Sequence, residues 1–178
     1  MKRLLKSLLT ISALSSLVIA PAFLTVGKAA AETQNGTDAS YIGAGVAAGV
    51  TNGGQNNDAA TLGGNITARV KLGNTPFSAR GNVLWSDETT AIVPEVSLDV
   101  PIAPRTNAFI TGGYSFVEAD GKPTPLGNRD SVVVGAGVES EVTKNFLVYT
   151  NAKVGLKAYQ NSDASAVSIN GGLGYRFR

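Results

Sequence analysis

From residue 62 to residue 73 the chain alternates without a break. Leu62, Gly64, Ile66, Ala68, Val70 and Leu72 fall on one face, and Gly63, Asn65, Thr67, Arg69, Lys71 and Gly73 on the other. A period of two belongs to an extended strand with two unlike faces; a helix would scatter the same residues around its circumference. The pattern recurs between clusters of Gly, Asn, Asp, Pro and Thr, over residues 41–50, 62–73, 77–86, 91–102, 108–117, 132–142, 146–159 and 167–177. Eight two-faced strands with no helical period between them predict an all-β fold, an eight-stranded antiparallel up-and-down barrel.

The start of the chain is of another kind. Lys2, Arg3 and Lys6 precede a long apolar stretch that ends in Ala29, Ala30 and Ala31 before Glu32. This is the form of a secretory signal cleaved after Ala31, and Ser12, Ser15, Ser16, Pro21 and Thr25 dilute the stretch too much for a good membrane anchor. The expected organisation is a signal at 1–31, a short polar segment at 32–40 and a barrel at 41–178. Removing the signal takes four bases with it, so 15 basic residues become 11 against 13 acidic ones, and the mature charge is −2. The basic balance of the full chain therefore belongs to targeting, and nucleic acid is not an expected partner.

Cysteine and histidine are both absent. An exported chain without cysteine has no disulfide framework. Without histidine it lacks the usual general base and the commonest metal ligand, so neither a catalytic triad nor a metal or other cofactor site is expected. Asp87 and Glu88 form the one adjacent acid pair that an enzyme would have to use. The Gly-rich piece Thr51-Asn52-Gly53-Gly54 lacks the lysine, serine and helix context of a phosphate loop.

Every charged residue in the proposed strands lies opposite the apolar face: Arg69, Lys71, Arg80, Glu95, Asp99, Glu139, Glu141, Lys153, Lys157 and Arg176. Two arrangements satisfy this. A soluble barrel of the lipocalin kind turns the apolar face inward around a ligand, whereas a transmembrane barrel turns it outward to lipid. The charged face is rich in small residues, among them Gly43, Gly45, Gly113, Gly135, Gly137, Gly172 and Gly174, as a crowded interior requires. Aromatic residues gather at the apolar face's two ends: Phe77, Phe146, Tyr175 and Phe177 at one, Trp85, Tyr114 and Phe116 at the other. Two aromatic girdles at two bilayer interfaces have this form. Pro94 is the discordant residue, since a closed barrel has no free edge to absorb a missing N–H; a bulge there, or a strand starting after it, is expected.

The last proposed strand runs Asn170-x-Gly172-x-x-Tyr175-x-Phe177, followed by Arg178. This ending resembles the C-terminal signal that the outer-membrane assembly machinery reads, with Arg178 a departure from the habit of finishing on the aromatic. With the signal segment it identifies the chain as similar to small eight-stranded outer-membrane barrels of the OmpA/OmpX type, porin-like in label and limited to the barrel domain. The resemblance implies a Gram-negative outer-membrane location, lipid and the assembly machinery as partners, a monomer, and a role in envelope structure or surface interaction with limited solute passage as a related possibility.

An eight-stranded barrel is filled by its own side chains, so Arg69, Lys71, Arg80, Glu95, Asp99, Glu139, Glu141 and Arg176 are expected to form a salt-bridged plug in the lumen. The connections alternate between short turns and longer loops. The loops, with Asp58, Asp87, Glu88, Glu118, Asp120, Asp130 and Asp163 against Lys122 and Arg129, should make an acidic rim. Divalent cations bridged by such a rim are an alternative to simple solvation, although the spacing matches no calcium loop.

Overall fold

The computed structural model describes residues 36–53 and 61–177. The signal assigned to residues 1–31, together with Asp58 and Arg178, lies outside the described residues. Eight strands follow in order: β1 Ser40–Gly49, β2 Thr61–Lys71, β3 Phe77–Trp85, β4 Thr90–Ala103, β5 Thr106–Val117, β6 Ser131–Glu141, β7 Phe146–Leu156 and β8 Ala166–Phe177. Each pairs antiparallel with its neighbour, and β1 closes on β8, so the sheet is a barrel without an edge.

The apolar face is outside. Leu62 is 73% exposed and Val46 and Leu173 each 63%, whereas Arg69 is 1% exposed and Glu139 fully buried. A lipocalin-like interior requires the opposite, and the burial excludes it. All seven girdle aromatics are exposed on this outer face, with Phe146 and Tyr175 meeting edge to face at 5.5 Å and Tyr114 and Phe116 tilted against each other at 4.9 Å.

Two expectations need correction. The seventh strand stops at Leu156 because Lys157 takes a left-handed turn with φ 52°; it leaves the lumen and pairs with exposed Asp163 at 3.1 Å. Pro94 neither begins its strand nor forms a bulge. It stands opposite Gly81 of β3 with its ring facing outward, and the ladder to β5 lapses at Val93 and Pro94 before resuming in the same register at Glu95 and Gly113. The register shift lies elsewhere, between Pro101 and Ala103. The described part of the polar segment at 32–40 packs against the barrel. Gly36 bridges to Pro104, and Thr37 and Ala39 are buried inside the barrel's mouth.

Close strand approach explains part of the glycine content. A Cβ on Gly45 would lie 2.0 Å from the Gly171 carbonyl oxygen across the β1–β8 seam, a contact that no side chain survives.

Candidate functional site

The lumen is stratified. At the end bearing the short turns and both strand termini, Arg176 of β8 bonds Glu141 of β6 at 2.9 Å and Asp38 at 3.1 Å, with Arg105 at 3.6 Å from Glu141. The Thr37 hydroxyl also donates to Glu141.

One layer further in, four charges form an alternating ring. Arg69 reaches Asp99 and Glu139, each at 2.8 Å, and Arg80 reaches the same two acids at 2.9 and 3.0 Å. Serine hydroxyls complete the bonding: Ser78 donates to Asp99 and accepts from Arg69, and Ser97 links Arg80 to Asp99. Tyr41 donates to Glu139 at 3.0 Å, and the Arg80 guanidinium lies 3.8 Å from the centre of the Phe109 ring. Ions this deeply buried persist only when paired and hydrogen-bonded on all sides, and here they are.

Above the ring Glu95 of β4 holds Lys153 of β7, and receives hydrogen bonds from Asn82 and from Thr111 at 3.1 Å. Tyr149 donates to Asn65 at the same level.

The opposite end is apolar. Ala47, Leu84, Ala91, Val93, Val117 and Val133 point inward from the strands around Leu126, which the β5–β6 connection carries into the mouth. The Thr124 hydroxyl bonds the Gly127 carbonyl at 2.7 Å, and Gly127 at φ 106° turns the chain so that Pro125 and Leu126 are completely buried.

Seven of the eight residues expected in the charge network are thus joined in three clusters. Lys71 is not: among the described residues no carboxylate lies within ion-pair distance of it, and it sits beside the rim at the turn end. Lys153, which its phase puts on the charged face, joins the network beyond the eight expected; Tyr41, the serines and the apolar seal were not foreseen. The seal had a signal in the alternation, since the inward-facing positions of β3, β4 and β6 change from Leu84, Val93 and Val133 at one end to Arg80, Asp99 and Glu139 at the other. Asn170 and Gly172 face the lumen, where Asn170 bonds Asn151 at 2.9 Å, whereas Tyr175 and Phe177 face outward. Asp87 stays exposed, and Glu88 pairs with exposed Lys122 at 2.9 Å.

An edgeless eight-stranded sheet with charge inside, aliphatic residues outside and aromatics at both ends of the outer face defines a transmembrane β-barrel. The chain belongs to the outer membrane protein beta-barrel domain family, whose pattern it matches over residues 16–177, and its place is the bacterial outer membrane. No curated protein sequence matches it. Similar solved structures share the fold at low identity. The attachment invasion locus protein Ail of Yersinia pestis, solved with the heparin analogue sucrose octasulfate, is 17% identical at a TM-score of 0.53, covering 78% of this chain and 97% of its own. The N-terminal barrel domain of OprF from Pseudomonas aeruginosa is 13% identical at 0.50, covering 82% of this chain and all of its own. A de novo designed transmembrane barrel is 13% identical at 0.55, with the same coverage.

Proposed function

We propose that this chain is a sealed, non-catalytic barrel that serves in envelope structure or surface interaction and conducts no solute. The observation that carries this reading is two plugs in series: the Arg69–Asp99–Arg80–Glu139 ring toward the turn end and the Leu126 seal toward the loops. An ion crossing the lumen must displace paired charges and then enter an apolar layer, and both steps cost free energy. Outer-membrane barrels place short turns in the periplasm and longer loops outside, which puts the apolar seal at the cell surface.

The outer rim carries Asp87, Glu88, Glu118, Asp120, Asp130 and Asp163 against Lys122, Arg129 and Lys157. A polyanion such as the one in the Ail complex is therefore a poor match, and a cationic or cation-bridged surface partner a better one. The Asn170-x-Gly172-x-x-Tyr175-x-Phe177 ending serves as the assembly signal, with the barrel inserted into lipid as a monomer. Planar-bilayer recording with the purified folded protein tests the sealed state. Absence of reproducible conductance steps is expected, and regular unitary steps overturn it.

A further inference from the structure

Beside the ring, at the turn end, lies a cavity of about 310 Å³ between the Gly36–Ala39 stretch, the β2–β3 turn and the end of β4. Thr37, Lys71, Asn74, Thr75, Pro76 and Pro101 are among the residues lining it. Its charge balance is unusual. Arg69, Arg80, Lys153, Arg176 and Arg105 are each in an ion pair with one or two of Glu95, Asp99, Glu139, Glu141 and Asp38, so five bases are matched by five acids. The two carboxylates on the cavity wall, Asp38 and Asp99, are both in that balanced set. Lys71, a half-buried residue of the same wall, has no counter-ion among the described residues. A lysine held against a cavity wall without a partner is a ready site for an anion of about its own charge.

The rest of the wall narrows the class of anion. The Asn74 side chain forms no hydrogen bond among the described residues and offers both an amide donor and an acceptor. Pro76 and Pro101 supply apolar surface. Arg69 and Asn107 also line the wall, but both are engaged, Arg69 with Asp99 and Glu139 and Asn107 with the Thr37 carbonyl. The one cation without a counter-ion, the one amide without a bond and two prolines fit the end of a peptide: carboxylate on Lys71, last peptide group on Asn74, side chain against the proline rings. Capture of a terminal carboxylate is an established way for proteins to read peptides. We infer that this turn-end cavity binds the free C-terminal carboxylate of a peptide presented from the periplasm, with Lys71 as the anchoring residue. The site lies outside both seals, so it neither depends on nor requires a closed lumen, and the recording experiment and the one below can fail separately.

Nuclear magnetic resonance of the full folded barrel in detergent micelles tests this with N-acetyl-alanyl-alanine, its C-terminal amide and inorganic phosphate as probes. The free acid should shift the Lys71 ε-methylene and Asn74 side-chain amide signals saturably, and the amide should not. Lys71→Gln should weaken binding about tenfold or more. Lys144→Gln, at an exposed lysine of another turn, should leave it unchanged. Retention of heat-modifiable migration shows that each variant is folded. The inference is overturned if no saturable shift occurs, if the amide binds as well as the acid, if Lys71→Gln binds as tightly as the parent, or if phosphate shifts the same signals at equal or lower concentration.

Discussion

Arg69 and Arg80 stand directly opposite each other across the β2–β3 ladder. Like charges at facing positions of an antiparallel pair repel, and burial removes the water that would screen them. The pair persists because both guanidiniums grip the same two carboxylates, Asp99 of β4 and Glu139 of β6. The ring therefore ties strands that are not neighbours: Glu139 reaches across the lumen from β6 to β2 and β3.

Neutralising one acid should consequently cost more than losing one bond. Glu139→Gln leaves two facing arginines with a single shared counter-charge, and removing one partner from a buried pair typically costs about 3 to 5 kcal/mol. A lower urea midpoint for the unboiled, fast-migrating form is the expected result. In a double-mutant cycle, Arg80→Met with Glu139→Met should be less damaging than the sum of the two single changes, with a coupling of about 1 to 3 kcal/mol.

Opening one seal should not open the barrel. Leu126→Ala empties the centre of the apolar layer and should destabilise by about 2 to 5 kcal/mol, the range for truncating a buried leucine. The ring below is untouched, so bilayer recordings of the refolded variant should still show no steps. Steps from this single change would show that the charged layer does not block passage.

The alternation of the strands carried most of the fold into view, because a period of two gives the strand number and the face of each side chain, while the small residues of the charged face and the two aromatic girdles turn the apolar face to lipid. The interior was legible as a chemistry and not as a geometry. Parity places Arg69, Arg80, Asp99 and Glu139 inward, but which acid meets which base depends on the strand stagger at closure, which no single strand encodes. Leu126 was hidden for a different reason. It lies in a connection, where no alternation exists to read, and its burial follows from the left-handed Gly127 and the Thr124 hydroxyl that fold the connection inward. Lys71 shows the limit of parity itself: it has the inward phase of Arg69, yet two residues nearer the rim it is beyond reach of any acid among the described residues.

Two glycines on opposite faces should respond oppositely to the same change. Gly45→Ala drives a Cβ into the Gly171 carbonyl at the seam that closes the barrel, and backbone cannot yield cheaply there. A loss of at least about 1 to 3 kcal/mol is expected, with much of the protein failing to reach the heat-modifiable form. Gly112→Ala points into open space on the outer face and should be neutral or stabilising by about 0.4 to 1 kcal/mol. Equal behaviour of the two in a urea titration would refute the close-approach explanation.

Among the outer connections Tyr159 acts as a clasp. Its ring covers Gly53, its hydroxyl donates to the Thr51 carbonyl, and Thr51 Oγ1 accepts from the Val167 amide at 2.8 Å. Burial raises the Tyr159 phenol above the ordinary tyrosine range, and a hydrogen bond with the Thr51 hydroxyl, 2.9 Å away, only partly offsets it. A raised value means that the neutral form is the one the fold favours. The clasp's contribution is whole below the ordinary pKa of about 10 and falls away as pH rises through the higher folded value. Subtracting the ultraviolet titration of Tyr159→Phe from that of the parent should give a single phenol ionising later than a free tyrosine. A midpoint at or below the ordinary range contradicts the clasp.

The C-terminal aromatics separate two roles that a single assay would confuse. Tyr175 and Phe177 lie on the outer face of β8, and Tyr175 touches Phe146 edge to face. Girdle residues act in the folded barrel, at its turn end; the proposed assembly signal would act before the barrel exists. Tyr175→Ala loses the ring contact and should lower stability by about 0.5 to 1.5 kcal/mol beyond the lost area. Phe177→Ala has no such ring partner among the described residues, so its purified protein should refold in detergent almost as well as the parent. In cells the order should reverse, with Phe177→Ala reducing the amount of folded barrel in the membrane more than Tyr175→Ala does. Matched losses in refolding and in cellular assembly for both variants would mean that these residues serve the folded wall alone.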